Sequence, residues 1–375
     1  MAAFFKSIEV RNEEIPALTG IRFLAVSMIF LLHYTSAGKF GVFWDSVFNQ
    51  LFLGVHLFFI LSGFLICYIY SDKARLDKKF LTGFFTKRIA RIYPLYFLTT
   101  TFVFIVNYIK GHTEHWLPLY LVNITFTKGF SSWYMFTGIF QSWSLTVEET
   151  FYALAPFIFL IIRRKNILFG QVIFFYIAGI LLWLFFKYFP FKGFFSSLHF
   201  IAMATFFGRC LEFFLGIWLA LYVKKHSLLA RPPKLRGWYT YAGLAGMIAV
   251  IFCLSLFTPE QMQQRGAAYI CIMLLRNVAF PLTVILFFYG LITEKSVVKQ
   301  FFSSRVSILL GRSSYAFFLI HSGVFVSWIY NYITTSVLGI YIGTYIMSII
   351  LFFCVEQPLR NIVNKWGRQK AIKQE

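Results

Sequence analysis

The chain has 375 residues, of which 59% are hydrophobic, 21% aromatic and 13% charged, and a net charge of +21. So few charged groups cannot cover a water-facing globule of this size, which excludes a soluble enzyme and leaves a polytopic membrane protein. The positive charge does not point to nucleic acid, because 25 of the 35 lysines and arginines fall in one alternate set of connections and only six in the other, the asymmetry of the positive-inside rule.

Ten stretches of about 20 apolar residues are long enough to cross the hydrocarbon core as helices. They run from Leu18 to Thr35, Leu51 to Tyr70, Ile89 to Tyr108, Leu145 to Ile162, Ile167 to Phe186, Ala204 to Val223, Trp238 to Phe257, Ala267 to Gly290, Ser313 to Tyr330 and Val337 to Val355. The expected fold is all-α with about ten membrane helices and, from the loop charges, both termini in the cytoplasm. The leader Met1 to Ala17 has no small-residue cleavage pattern, so the first span is read as a retained anchor. The longest polar connections, Ser71 to Lys87 and Lys224 to Arg236 with its breaker pair Pro232-Pro233, are too short to bury a core. Residues 1–375 are therefore expected to form one membrane module with no appended soluble domain.

In the first span, Arg22 and His33 are separated by ten residues. Eleven helical steps return almost to the same face and displace His33 by roughly 16 Å along the axis. A cation and an imidazole on one face of a spanning helix are costly there and mark a pathway or a site. His56 lies in the second span, in G-V-H-L-F-F-I-L-S-G-F-L. Arg88 and Arg91 follow in F-F-T-K-R-I-A-R-I-Y-P, at i and i+3 on one helix face, expected at the cytoplasmic mouth of the third helix. They read either as phosphate-gripping guanidiniums or as snorkelling anchors.

The stretch Ile109 to Ser144 is mixed and aromatic, with room for a short re-entrant helix. Its Trp116, Trp133 and Tyr134, with Trp143, suit the membrane interface, the reading favoured in a chain with 50 phenylalanines, or sugar stacking. Next comes Q-S-W-S-L-T-V-E-E-T-F-Y. Its Glu148 and Glu149 enter the fourth span with Tyr152 one turn beyond Glu148, and one acid is expected to face the bundle while the other caps the helix or faces water. Arg209 and Glu212, at i and i+3 in the sixth span, read as an internal ion pair. His321 closes L-G-R-S-S-Y-A-F-F-L-I-H in the ninth. Cys67, Cys210, Cys253, Cys271 and Cys354 have no paired spacing and read as packing residues, and the histidines show no metal-ligand spacing, so no metal is expected.

These blocks, with F-L-G-I-W-L-A and E-Q-P-L-R, occur in one order along nearly the whole chain, and the set resembles the acyltransferase 3 family of integral-membrane acyltransferases. The resemblance implies transfer of an acyl group, commonly acetyl, from cytoplasmic acyl-CoA to a hydroxyl of a cell-surface or lipid-linked glycan, in a bacterial inner membrane. It makes His33 the catalytic histidine and Arg88 and Arg91 the partners that hold the CoA phosphates, and it lands the family's acidic element on Glu148. His56 departs from the pattern, since many relatives carry an acid there.

Planar guanidinium forks suit multidentate phosphate binding, with Arg22 further along the donor's path. His33 would act as general base toward the acceptor hydroxyl, or carry the acyl group covalently. Glu148 with Tyr152 would orient the imidazole or the acceptor, and Glu149, Tyr152 and His321 are further candidates for substrate contact. Acetyl-CoA is the expected co-substrate, the bilayer and a glycan the expected partners. The alternative reading is a secondary transporter in which Arg22, His33, Glu148 and His321 relay protons or bind an anion at midplane.

Overall fold

A computed structural model describes residues 15–35, 41–111, 114–165, 167–231, 237–258, 261 and 266–372. Most of the leader Met1 to Ala17 and the Pro232-Pro233 pair lie outside the described residues. The helices are α1 (Pro16–Thr35), α2 (Val42–Asn49), α3 (Gly54–Tyr70), α4 (Lys78–Ile109), α5 (Trp116–Ile124), α6 (Trp143–Lys165), α7 (Leu168–Tyr188), α8 (Leu198–Ala204) and α9 (Phe206–Lys225). They continue as α10 (Trp238–Ser255), α11 (Ala267–Leu274), α12 (Phe280–Thr293), α13 (Val297–Phe302), α14 (Arg305–Arg312), α15 (Ser314–Ile320), α16 (Val324–Tyr332), α17 (Val337–Leu351) and α18 (Gln357–Ile372). Among the described residues there is no strand beyond one isolated bridge, Ser131 with Phe194, and nine helical stretches are long and apolar enough to cross a membrane. The chain is an all-α polytopic membrane protein.

Eight of the ten expected spans appear as continuous helices or as helices joined through a π turn within one or two turns of their sequence limits. The third is longer than expected. Asp77 accepts a hydrogen bond from the Phe80 amide at 2.7 Å and starts α4 at Lys78, so Arg88 and Arg91 stand ten and thirteen residues into the helix rather than at its mouth. The ninth span is broken. Helix α15 stops at Ile320 and α16 starts after Gly323, whose φ of +70° favours glycine. The carbonyls that the break exposes are met by a side chain from the Q-S-W block: the Gln141 amide donates to the Phe318 and Leu319 oxygens, and Ser322 donates to Gln141 Oε1 at 2.6 Å. Unsatisfied helix-end carbonyls in a dry environment cost several kcal/mol each, so the break depends on Gln141.

The described helices group into two compact units, one within Met1–Tyr68 and Glu212–Ser314, the other within Ile69–Leu211 and Tyr315–Glu375. In the first, α1 packs along α13 and α14 at very short range. A Cβ on Gly20 would stand 2.0 Å from the Phe302 carbonyl oxygen, and one on Gly311 2.0 Å from that of Thr19. Small residues let backbones approach where apolar burial alone gives no drive inside lipid. Helices α10 and α12 pair closely, and the buried Glu294 carboxylate caps α10 by accepting from the Tyr239 and Thr240 amides and the Thr240 hydroxyl at 2.9–3.1 Å. In the second unit α18 runs along the basic half of α4, while α5 and α6 pack against α4.

Candidate active site

Within the second unit two of the sequence blocks and the end of α3 converge on one guanidinium. Arg88, 8% exposed, is held between two aromatic rings, 5.5 Å from the Tyr70 centroid and 5.6 Å from that of Tyr152. Its Nη2 also reaches the Tyr70 hydroxyl at 3.4 Å. Ring faces stabilise a cation in a dry setting by about 2 kcal/mol. Tyr152, itself buried, donates its hydroxyl to Glu148 Oε1, so the second ring is oriented by the acid one turn before it. Arg91 acts electrostatically on Tyr152, and Arg88 and Glu148 on Glu149. The structure thus gathers Arg88, Arg91, Glu148, Glu149 and Tyr152 in one unit.

Glu148 and Glu149 are both half-buried and lie in the second turn of α6; its first turn carries no acid. A macrodipole role needs the first turn, so their place here is set by the arginines and Tyr152 instead. Two residues join that sequence reasoning did not name for the site. Tyr70 ends the second span as an ordinary interface tyrosine in sequence, and only the fold turns it onto Arg88. Glu356, from E-Q-P-L-R, is 5% exposed within a π-helical turn, Phe352–Glu356. With Glu149 and Glu148 it acts electrostatically on Tyr315, whose hydroxyl donates to the Ile92 carbonyl at 2.7 Å. An acid buried in the last span was the available signal for Glu356.

His321 also belongs to this unit. It is 1% exposed, its Nδ1–H donates to the Phe318 carbonyl at 2.8 Å, and its ring stacks on Phe317. These contacts set it at the break between α15 and α16.

Arg22 and His33 belong to the first unit. Helix α1 is unbroken from Pro16 to Thr35, so the two share a face as their spacing demands, both half-buried, with His33 in the last turn. In the same unit His56 Nδ1 lies 3.0 Å from Glu212 Oε1, both side chains buried. The buried imidazole of α3 thus meets an acid from α9. Arg209, 2% exposed, lies one turn earlier on that helix.

Residues 15–356 match the acyltransferase 3 family, described as an acyltransferase domain. The chain belongs to that family. What the two units build is an acyltransferase domain of the membrane type, and its relatives carry names of the same kind. It is 25% identical over 320 residues to ORF330 of Acidianus two-tailed virus, a candidate acetyltransferase, covering 84% of this chain and 82% of the viral one. It is 24% identical over 372 residues to a candidate O-acetyltransferase of Staphylococcus aureus (strain COL), and 26% identical over 177 residues to the acyltransferase MdmB of Streptomyces mycarofaciens. The chain spans 57% of that staphylococcal protein, which covers 92% of the chain, and 41% of each chain aligns with MdmB. No solved structure matches the chain.

Proposed function

We propose that this chain is a membrane O-acyltransferase that moves an acetyl group from acyl-CoA to a hydroxyl of a cell-surface or lipid-linked glycan, with the basic connections in the cytoplasm of a bacterial inner membrane. The observation that carries the reading is the Arg88 guanidinium fixed between the Tyr70 and Tyr152 rings. The rings stabilise the cation without neutralising it, and a planar guanidinium can meet a diphosphate in a bidentate way that a lysine could not supply. Arg91, one turn on and half-buried, supplies the second cation. The carboxylates of Glu148, Glu149 and Glu356 stand in the same unit and oppose an anion, so the polyanionic donor headgroup gains most where both guanidiniums act together.

His33 takes the proton of the acceptor hydroxyl as its oxygen bonds to the thioester carbonyl carbon. The tetrahedral species then expels CoA thiolate as the C–S bond breaks, and the thiolate takes up the proton from the imidazolium. Glu148, with Tyr152 donating to it, orients the reacting groups. Thioester cleavage is favourable, so catalysis rests mainly on positioning and on the exclusion of water.

The test uses membrane vesicles, labelled acetyl-CoA and an envelope-glycan extract. Wild type labels the glycan; His33→Ala lowers the rate by roughly 100-fold or more, and Arg88→Ala acts chiefly by raising KM for acetyl-CoA. Undiminished labelling by the His33 variant would overturn the mechanism. Solute flux without any acylated product would favour the transporter reading.

A further inference from the structure

At the far end of α4 from Arg88, about 24 Å along the axis at Phe104, the second unit holds a cleft of about 380 Å³ that the acyl-transfer chemistry does not use. Its walls are Phe104 and Asn107 from α4, Glu114 from the turn after it, Trp116 from α5, and the Thr137–Gly138 strap. We propose that this cleft binds the saccharide of the acyl acceptor, and that its occupant is a neutral or amino sugar.

The composition of the walls carries the assignment. Trp116 is 42% exposed and is braced edge-on by Tyr108 at 6.0 Å, so it offers a flat apolar face while its own orientation is fixed. Sugar rings have one such face of C–H groups and a rim of hydroxyls. The carboxylate of Glu114 and the amide of Asn107 supply acceptors and donors for that rim, while the Thr137 hydroxyl serves the wall itself, donating to the Tyr134 carbonyl at 2.7 Å. A lipid acyl chain would have no use for these two polar side chains, and the exposed Glu114 carboxylate repels phosphates and acidic sugars. The volume falls in the range of about 300–1,000 Å³ usual for small-molecule sites.

The strap is built in advance of any ligand. The Lys128 ammonium, 1% exposed, donates to the Thr137 and Ile139 carbonyls at 2.6 and 2.7 Å and so clamps the main chain on both sides of Gly138. Asn123 donates to the Thr137 hydroxyl at 2.9 Å and to the Leu119 carbonyl at 2.8 Å. Gly138 has φ +62°, and a Cβ there would stand 2.6 Å from Asn123 Oδ1 and 3.0 Å from Phe104. A buried lysine, a buried asparagine and an obligate glycine are costly devices for a plain surface loop. They hold a wall in one shape, which lowers the entropy that a ligand loses on binding.

The inference rests on the proposed glycan acceptor, and the experiment separates the two. Full-length protein in lipid nanodiscs, free of sugar-based detergent, is probed on an array of neutral, amino and acidic oligosaccharides. The same preparations are assayed for transfer from labelled acetyl-CoA to the envelope-glycan extract. Retention of neutral or amino sugars is expected, weakened at least 10-fold by Trp116→Ala and by Glu114→Gln, and unchanged by Trp133→Ala. In the transfer assay Trp116→Ala raises KM for the glycan and leaves KM for acetyl-CoA alone. Array retention that depends on Trp116, without any acyl transfer by wild type, supports the cleft while the proposed function fails. Transfer that proceeds equally well in Trp116→Ala, no retained sugar, or preference for acidic sugars overturns the cleft, the first of these with the function intact.

Discussion

Arg88 shows how much one residue's chemistry depends on its neighbours. As a lone cation in an apolar helix it would be expelled; with two ring faces beside it, it is retained in a fixed pose. Tyr152→Phe keeps the ring over Arg88 and removes only the hydroxyl that Glu148 accepts. A hydrogen bond to a charged acceptor contributes about 1.5–3 kcal/mol, so kcat is expected to fall roughly 10-fold or more with KM for acetyl-CoA nearly constant. Tyr70→Ala removes a ring face, and KM for acetyl-CoA should rise several-fold, while Tyr70→Phe should be close to wild type. Equal effects of Tyr70→Phe and Tyr70→Ala in initial-rate measurements would show that the ring is not what positions the arginine. Lys128, outside the spanning segments, gives a pH prediction. Burial pushes its ammonium down to about 7 from the ordinary 10.5. The unfolded chain therefore holds the extra proton between about pH 7 and 10.5, and stability rises with pH through that window. The melting temperature of wild type relative to Lys128→Met, read in nanodiscs, is expected to increase from pH 6 to pH 9. A flat difference would mean that the two carbonyl acceptors fully offset the burial.

Helix existence was legible because apolar runs of about 20 residues have few alternatives in a chain of this composition. What happens inside them was not. The sequence S-S-Y-A-F-F-L-I-H-S-G-V-F is apolar on both sides of His321, and hydropathy averages over a window wider than the break at Gly323. The π turns Leu275–Ala279 and Phe352–Glu356 are equally silent in sequence, yet such turns often mark functional positions. One brings Arg276 over Phe52, 4.7 Å from its centroid, with Nη2 3.3 Å from Gln50, and the other carries Glu356. Caps decide where elements begin, and Glu294 is the clearest case, since it serves a helix more than fifty residues before it. Glu294→Ala strips the first turn of α10 of three acceptor contacts, two of them buried. It is expected to cost about 1–3 kcal/mol, seen as a lower melting temperature, with Glu294→Gln intermediate because one of its two acceptor atoms remains. A Glu294→Ala variant as stable as wild type would show that water or lipid headgroups cap the helix instead.

At the scale of the whole molecule, the membrane class and the family were both readable, the first from composition and the second from an ordered set of short blocks. Those blocks contain the site residues of both units, Glu356 included, but sequence spacing carries no information on Tyr70 or the strap around Gly138, which depend on contacts between distant segments. The charge asymmetry of the loops makes one further claim, which the donor assignment needs: Asp72 and Ser227 face the cytoplasm, and Lys110 and Lys187 the opposite side. All four side chains are exposed. In a background with the five cysteines replaced by alanine, single cysteines at Lys110 and Lys187 should react with a membrane-impermeant maleimide in intact cells. Cysteines at Asp72 and Ser227 should react only after permeabilisation. Because α4 alone separates Asp72 from Lys110, this pair also tests whether that helix crosses the bilayer. The reverse pattern would put the Arg88 end of α4 outside the cell, where acyl-CoA is absent, and would remove the phosphate-binding role from both arginines whatever their effect on activity.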